Sequence, residues 1–542
     1  MPNTETFMRY ARTLRHLEHW QIAGRIVAGA KRKLRWTLLP TPPRVLENRL
    51  LPTADFPKHE SWNSRKNINR GRFKFLNEVE DLGRPIQWKA GHMPLLWRFN
   101  LHYFHYLHLL SRDEQIDLCR NWIRENAPCT GVGWHPYPTS LRIVNWCRAG
   151  LQDTDLLNSL YLQAAFLYRN LETYVYGNHL LENARALVLA GRLFEGQGEA
   201  RFWLAKGLQL YREETPVQIL SDGGHYERSP MYHALVLEGY LDVLNVLPTS
   251  HADRGWLIET VQRMADVLLS LTHPDGFIAL FNDATREIAP APAALQSYVH
   301  ALIGYRSRTL LCLPEMGYFM HRGDDLYLIV DGGPAGPNHL LAHAHADIFS
   351  YELSIRGRQV VVDSGVFEYH DGPMRRYVRS TRAHNTVSVD GIDQIECWGS
   401  FRVARRFAPH NVQFSTSTTT TTFSGTYSGY AVIIGDNIHH HRHLCVDQLA
   451  RTIIVQDRID GSGHHSVENL LRLHPGVDVH HQNGRIFLQN VGGNCQIDVE
   501  PMEARWEKGW YCPEFGTNWE NDVLVLGGRI SLPTQMSYTV HF

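Results

Sequence analysis

Leu156-Leu-Asn-Ser-Leu-Tyr-Leu-Gln-Ala-Ala-Phe-Leu167 is the stretch that decides the fold of the first half of the chain, because its apolar residues recur at helical spacing. The same spacing returns between about residues 95 and 305, for example in 184–193 and 233–247. Short polar or Pro/Gly breaks separate these runs, as expected between successive helices. The sequence therefore predicts an all-α array over this part of the chain.

The pattern changes at about Gly317, where short alternating runs rich in Val, Ile, Tyr and Thr begin. Leu326-Tyr-Leu-Ile-Val-Asp331 is one such run, and others follow as far as Ile530. Helices first and strands second, without alternation, indicate two packed domains and not a doubly wound α/β sheet. We predict an α+β multidomain chain with its boundary between Arg306 and Pro314.

The segment before the helical array is basic and amphipathic, and then rich in proline. Its first apolar run is interrupted by Arg25 and no clear cleavage site follows, which argues against a signal peptide. Residues 37–69 contain several prolines and indicate a linker or a wrapped arm. We thus divide the chain into residues 1–69, 70–310 and 311–542. No apolar run reaches the ~18 residues of a transmembrane helix, although the basic N-terminal helix is compatible with peripheral membrane contact.

Composition narrows the function. The 542 residues are 43% hydrophobic and 20% charged, which is typical of a folded protein, and a net charge of −1 argues against a nucleic-acid partner. The eight cysteines form no CxxC pair, so neither a thiolate zinc knuckle nor a disulfide framework is predicted, and a cytoplasmic location is favoured over the periplasm or cell envelope. The 31 histidines instead point to metal binding or acid/base chemistry.

The first cluster of interest is Tyr176-Gly-Asn-His-Leu-Leu-Glu-Asn183, at a predicted helix start. Asn178 and His179 would lie where the helix dipole favours an anion, with Glu182 on the same face one turn later. An Asn N-cap followed by a buried histidine would give the same pattern.

The second cluster is Ser221-Asp-Gly-Gly-His-Tyr-Glu-Arg-Ser-Pro-Met-Tyr-His233. Ser229-Pro230 predicts a helix start, which places Tyr232 in the first turn. The positive helix end and Arg228 would favour its phenolate, making Tyr232 a candidate proton donor and acceptor, with Tyr226 as a rival. Alternatively, both tyrosines pack the loops between helices.

The third cluster combines His339-Leu-Leu-Ala-His-Ala-His-Ala-Asp347, Val361-Val-Asp-Ser364 and Arg382-Ala-His-Asn-Thr386. In an extended segment His343 and His345 point to one side, while Asp363 and His384 arrive from later strand starts. Two imidazoles and a carboxylate suit Zn²⁺ with an open fourth position. Histidines that merely cap strand ends are the structural alternative.

Aromatic and basic residues are interleaved in the helical half, including Trp134-His-Pro-Tyr137. Such mixtures stack on sugar rings and pair with carboxylates or sulfates, although they also form ordinary helical cores. Trp134 and Tyr137 are therefore further candidates for binding substrate.

Together these segments resemble the heparinase II/III-type polysaccharide lyases, whose relatives include the alginate lyases. The residues that carry the resemblance are Gly177-Asn-His-Leu-Leu-Glu-Asn183, Asp222-Gly-Gly-His-Tyr-Glu-Arg-Ser-Pro-Met-Tyr232, His343-Ala-His-Ala-Asp347, Val362-Asp-Ser-Gly365 and His384-Asn-Thr386. The resemblance extends over roughly residues 95–542. It implies an N-terminal (α/α) toroid followed by a C-terminal antiparallel β-sandwich, with a catalytic cleft between them.

The resemblance also implies roles in β-elimination from a uronate polysaccharide. Asn178, helped by His179, would hold the uronate carboxylate, while Tyr232 and His343 would exchange protons with C5 and the departing O4 oxygen.

The metal ligands implied are His345, Asp363 and His384, holding a structural zinc ion. The remaining candidates for binding an acidic polysaccharide or oligosaccharide are Glu182, Tyr226, Arg228, Trp134, Tyr137 and Arg379.

The missing signal peptide weakens the expectation of a literal heparin substrate, so a bacterial uronate-containing exopolysaccharide or O-antigen intermediate is at least as good a candidate. Two other functions stay open at this point. One is a non-catalytic glycan-binding or assembly protein on the same fold, and the other is a glycoside hydrolase that uses Glu182 and Glu227 as its carboxylate pair. The sequence leaves the uronate, its linkage and the oligomeric state open.

Overall fold

The computed structural model of the protein describes residues 4–34, 37–482, 485–499 and 503–542. Our expectations for residues 1–3 and 35–36 of the basic segment therefore lie outside the described residues.

The helices follow the predicted order. They are α1 (Thr4–Leu14), α2 (His19–Leu34), α3 (Arg65–Ile68), α4 (Leu95–Tyr103), α5 (Arg112–Glu125), α6 (Pro136–Ala149), α7 (Thr154–Arg169), α8 (Gly177–Leu193), α9 (Ala200–Gln218), α10 (Pro230–Val246), α11 (Arg254–Ser270), α12 (Pro292–Ile303), α13 (Pro373–Val378) and α14 (Gly429–Ile433). Short 3₁₀ turns cover His105–Leu109, Val132–Trp134 and Thr381–Ala383.

Helices α4 to α12 form the toroid that the resemblance implies. Helix α8 is buried along almost its whole length and packs against α6, α9 and α10, so it lies at the centre of the helical core. Its apolar residues occur all round the helix, as expected for a helix enclosed by others. The last helix of the array ends at Ile303, and the first strand of the second domain begins at Cys312.

One part of the segment 70–310 is not helical. Strands β1 (Arg72–Phe75) and β2 (Glu78–Asp81) form an antiparallel hairpin, which corrects the purely helical prediction there. Leu76 and Asn77 make the turn with φ of 53° and 61°, a left-handed conformation that suits a two-residue hairpin loop.

The second domain consists of antiparallel strands. They are β3 (Cys312–Leu313), β4 (Tyr318–Arg322), β5 (Leu326–Asp331), β6 (Tyr351–Ile355), β7 (Arg358–Val361), β8 (Val387–Val389), β9 (Cys397–Trp398), β10 (Arg402–Val403), β11 (His410–Thr416), β12 (Thr420–Tyr427), β13 (His439–Asp447), β14 (Thr452–Asp460), β15 (His464–Arg472), β16 (Asp478–Gln482), β17 (Arg485–Gln489), β18 (Cys495–Val499), β19 (Ala504–Tyr511), β20 (Trp519–Ser531) and β21 (Thr534–His541).

In the described residues the large sheets of this domain have the strand orders β3-β4-β5-β6-β7, β19-β20-β15-β8 and β11-β12-β13-β14-β21-β18-β17-β16. Apolar side chains of all three sheets, such as Val330, Val455 and Leu524, share one buried core. This is the antiparallel β-sandwich that the resemblance implies, and it confirms the predicted fold class.

Residues 4–34 and 37–69 pack on both domains. Residues 37–69 run along the helical domain as a wrapped arm, with backbone hydrogen bonds from Arg49 to Leu193 and from Thr53 to Asn245. None of the helices in the described ranges is long and apolar enough to cross a membrane.

Candidate active site

A cavity of about 770 Å³ opens between the two domains. The helical domain contributes Asn178, His179 and Tyr232 to its wall, and the β-domain contributes His343 and Tyr369. A narrower recess of about 110 Å³ shares Asn178, Tyr232 and Tyr369 with the cavity and continues into the toroid, where Tyr137 and Glu182 line it. Four predicted catalytic residues that are far apart in sequence therefore meet at one cavity.

The start of α8 is held in place by a buried carboxylate. Tyr176 and Gly177 both have positive φ (71° and 60°), and a side chain at Gly177 would collide with Glu227. The backbone N–H and the Nδ2 of Asn178 donate to Glu227 Oε1 over 2.9 and 3.1 Å. Burial opposes ionisation of Glu227, but His343, His225 and Asn178 outweigh it and lower the pKa of this carboxyl group.

His179 is the second residue of the α8 start to face the cavity. Its Nδ1 lies 3.2 Å from Oε1 of the buried Glu172, and its ring stacks on Tyr137 at 4.1 Å. Burial works against the imidazolium, yet the charge and hydrogen bond of Glu172 raise the pKa of His179. A cationic His179 beside the Asn178 amide suits binding of a carboxylate.

Tyr232 and His343 meet across the domain interface. Their ring centroids are 3.9 Å apart, and the Tyr232 hydroxyl lies 3.0 Å from the Tyr369 hydroxyl. Burial, followed by the nearby Tyr369, raises the pKa of Tyr232 well above its ordinary value. The expectation that Arg228 favours the phenolate is therefore wrong, because Arg228 instead donates to the carbonyls of Glu315 and Met316 at 2.8 Å.

His343 is oriented by a residue that the sequence analysis missed. Asp283 is fully buried, and its Oδ2 lies 2.9 Å from His343 Nδ1 while its Oδ1 lies 2.9 Å from His345 Nε2. Arg375 donates to the same carboxylate at 2.9 Å. Burial opposes ionisation, but Arg375 and the two histidines hold the pKa of Asp283 well below its ordinary range. The only feature of the sequence that could have pointed to Asp283 is its position just after the apolar run Phe277-Ile-Ala-Leu-Phe281.

A potential metal-binding cluster lies behind His343. Ligand atoms of the buried residues His345, Asp347 and His384 lie within 4.8 Å of one another. His345 Nδ1, Asp347 Oδ1 and His384 Nε2 are buried atoms without a hydrogen-bond partner. Burial and Asp363 raise the pKa of Asp347 to about 6. Two imidazoles and a carboxylate with unused ligand atoms fit a divalent cation such as Zn²⁺.

The predicted ligand Asp363 has a different position. Its Oδ2 lies 2.8 Å from His384 Nδ1, behind the imidazole, and it is absent from the cluster found among the described residues. Asp347 takes its place there. A carboxylate on the far nitrogen of a ligating histidine fixes the ring and its tautomer, which is the function we assign to Asp363.

Several predicted substrate-binding residues lie outside the cavity wall. Trp134 is buried against Trp122 and Phe166, so it is part of the helical core. Arg379 is buried and donates to the carbonyls of Ala344, Gly399 and Ser400, which fixes the loop that carries His343.

Two further candidates for binding substrate, Tyr226 and Glu182, are also in contact with other side chains. Tyr226 is buried with its ring against His225 and His339 and does not line the cavity. Glu182 lines the inner recess, but its Oε2 forms an ion pair of 3.2 Å with Arg185.

Comparison with known proteins agrees with this architecture. Residues 151–303 match the model of the heparinase II/III N-terminus, and residues 306–538 match that of the heparinase II/III-like C-terminal domain. The chain belongs to the heparinase II/III family.

Three curated relatives are each named heparin-sulfate lyase. The protein of Pedobacter heparinus is 24% identical over 268 residues (44% of this chain, 40% of that protein), and that of Bacteroides thetaiotaomicron is 26% identical over 331 residues (51% and 47%). The protein of Bacteroides stercoris is 24% identical over 374 residues (62% and 52%). The chain thus spans about half the length of the curated relatives that it matches.

Solved structures show the same fold. A crystal structure of heparinase III superimposes with a TM-score of 0.66 at 18% identity, covering 95% of this chain and 88% of that one. A mutant of the heparan sulfate lyase HepC from Pedobacter heparinus gives a TM-score of 0.63 at 16% identity, covering 96% and 88%.

Proposed function

We propose that the protein is a polysaccharide lyase that cleaves a uronate-containing glycan by β-elimination. The observation that carries the proposal is the meeting of Asn178, His179, Tyr232 and His343 at one cavity between the domains. Elimination needs a group that neutralises the uronate carboxylate, a base for the C5 proton and an acid for the O4 leaving group. These four side chains supply all three functions.

The carboxylate site of this mechanism is the start of α8. Asn178 and a cationic His179 would neutralise the uronate carboxylate, which stabilises the charge that develops when C5 loses its proton. Glu172 and Glu227 hold the two side chains in place before substrate binds.

Tyr232 and His343 form the acid/base pair. The raised pKa of Tyr232 keeps its hydroxyl protonated, as an acid for the O4 oxygen requires. His343 Nδ1 is in contact with Asp283, so Nε2 is the nitrogen left for the reaction in the cavity. This Nε2 lies 3.4 Å from Glu227 Oε2. The configuration of the uronate at C5 decides which of the two removes the proton.

The name that the curated relatives share, heparin-sulfate lyase, supports a glycosaminoglycan of this type as the substrate. A bacterial surface polysaccharide with uronate residues is an equally suitable substrate for this chemistry. A glycoside hydrolase has less support, because Glu182 pairs with Arg185 and Glu227 bonds to Asn178.

We also propose that His345, Asp347 and His384 hold a zinc ion. An ion there would give the unpaired ligand atoms behind the cavity a partner, and it would stabilise the loop that carries His343. Elimination requires no water nucleophile, so the chain's own acid/base residues perform the reaction.

The experiment is incubation with heparan sulfate, hyaluronan, alginate and bacterial surface polysaccharides while the ultraviolet absorbance of a 4,5-unsaturated product is followed. Tyr232→Phe and His343→Ala should each lower turnover about 10²- to 10⁴-fold. Tyr226→Phe, a buried tyrosine outside the cavity, is the matched control. Glycan binding without product from the wild type would instead identify a non-catalytic glycan-binding protein.

A further inference from the structure

The N-terminal helices form part of the wall of the catalytic cavity. Tyr10 and Leu14 of α1, Leu17 of the following turn and Arg25 of α2 line it. This part of the chain precedes residues 151–538, over which the family models match. The protein therefore has a cavity wall built from a segment outside the matched domains.

Helix α1 is attached to the β-domain. Arg9 Nε donates to Glu396 Oε1 at 2.9 Å, and Trp398 Nε1 donates to Thr13 Oγ1 at 3.1 Å. The Tyr10 ring packs edge-on against Trp398 with centroids 4.7 Å apart.

Helix α2 extends this wall to the helical domain. Trp20 packs against Tyr176 with ring centroids 5.0 Å apart, and Gln21 is buried and donates to the carbonyl of His339. The pair α1 and α2 therefore bridges the two domains beside the start of α8.

This wall carries a concentration of positive charge. Arg25, Arg402 and Arg406 line the cavity, and Arg15 lies close enough to contribute, after burial, to lowering the pKa of Arg406 to about 10. Burial, then Arg406 and Arg15, also lower the pKa of His16. These cations therefore repel one another.

Three carboxylates, those of Glu78, Glu227 and Glu368, line the same cavity. Within the described residues, no ion pair joins Arg25, Arg402 or Arg406 to them or to Glu396, which is paired with Arg9 and Arg12. Arg406 is held in position instead by the carbonyls of Asn338 and Val403.

We propose that Arg25, Arg402 and Arg406 form a second anion-binding subsite at the cavity wall, which holds a carboxylate or sulfate of a sugar other than the reacting uronate. The inference rests on the proposed function, because only an acidic glycan brings repeated negative groups into this cavity. Guanidinium groups that have no carboxylate partner in a partly desolvated cleft attract such groups and bind them through N–H donors. The subsite then makes the protein prefer oligosaccharides over disaccharides.

The test is calorimetric binding of defined oligosaccharides to the full chain. A Tyr232→Phe background suppresses turnover, and Arg25→Gln/Arg402→Gln is compared with Arg201→Gln/Arg485→Gln, which removes two exposed charges away from the cavity. The ligands are a heparan sulfate hexasaccharide, an unsulfated heparosan hexasaccharide and a disaccharide. We expect hexasaccharide affinity to fall about tenfold in the first double variant, with a weaker salt dependence, and to be unchanged in the control.

The outcomes separate the two proposals. A loss confined to the sulfated hexasaccharide assigns the subsite to sulfate, and a loss for both hexasaccharides assigns it to a carboxylate. Equal affinities of the Arg25→Gln/Arg402→Gln variant and its parent, or an equal loss for the disaccharide, overturn the subsite even where wild-type protein forms an unsaturated product. Weaker hexasaccharide binding with no product from the wild type supports the subsite and refutes the lyase reaction.

Discussion

The wall of the cavity between the domains and the buried cluster behind it both contain histidines, but these histidines have different surroundings. His343 and His345 are separated by one alanine, yet the side chain of His343 is 11% exposed and that of His345 is fully buried. His343 lines the cavity and lies between the carboxylates of Asp283 and Glu227, whereas His345 faces Asp283 on one side and the potential metal cluster on the other. Proton transfer needs an accessible nitrogen, while positioning needs the ring to be enclosed.

Asp283 joins the two regions. Its two carboxylate oxygens contact one histidine of each region, and Arg375 supplies the compensating charge. The two regions are thus joined by one buried carboxylate. Substitutions of Asp283 and of residues in each region test whether the two regions are coupled.

The largest effect on stability is expected for Asp283→Asn. This change leaves Arg375 buried without its counter-ion, which costs about 3–5 kcal/mol when one partner of a buried pair is lost. Urea unfolding followed by tryptophan fluorescence measures the change. Asp371→Asn is the control, because its exposed pair with Arg376 is worth less than about 1 kcal/mol. Similar losses for the two variants would show that Asp283 is not the junction that we describe.

Asp363→Asn tests the positioning layer of the buried cluster. Loss of a carboxylate behind a ligating histidine typically weakens metal affinity about 10- to 100-fold, so we expect that change for Zn²⁺ in competition with a chromophoric chelator. Asp390→Asn is the matched control, since Asp390 also bonds to a histidine of this domain, His465, outside the cluster. Equal zinc affinities of the two variants would contradict the function assigned to Asp363.

Sequence patterns were sufficient for the order of the helical and β-rich parts and for placing Asn178, His179, Tyr232 and His343 among the residues that line the cavity. The helical spacing of 156–167 and the alternation of 326–331 report local burial, which each segment carries within itself. Asn178 and Tyr232 were recognisable because both lie at helix starts, which have their own signals. A left-handed turn precedes Asn178 at the start of α8, and a Ser-Pro pair precedes Tyr232 at the start of α10.

The residues that sequence analysis missed act through contacts between distant segments. Asp283 is 60 residues from His343 and 92 from Arg375, and no local pattern encodes those contacts. Arg228 and Arg379 were misassigned for the same reason, because an arginine beside a motif is equally suited to bind backbone carbonyls of distant segments, Glu315 for Arg228 and Ala344 for Arg379. Asp347 and Asp363 are both compatible with a metal by spacing, and only their positions around His384 distinguish them.

The smallest effect concerns the cavity side, where Glu172 raises the pKa of His179. Because this pKa lies above its unfolded value of 6.5, the interaction contributes fully to stability below pH 6.5 and is lost as pH rises through the folded pKa. Glu172, whose pKa is lowered from 4.5 despite its burial, loses its contribution as pH falls through its own folded pKa. The pair therefore stabilises the fold between these two limits.

Glu172→Gln should lower the pKa of His179 and remove this dependence of stability on pH. An NMR titration of the His179 ring measures the first effect, and unfolding on both sides of pH 6.5 measures the second. Glu199→Gln, which breaks a pair with the half-exposed Arg169, is the control and should leave the titration unchanged. An unchanged His179 pKa in Glu172→Gln would mean that the carboxylate does not maintain the cation. The cavity side would then lack the buried support that Asp283 gives to His343, and neutralisation of the uronate would depend on Asn178 alone.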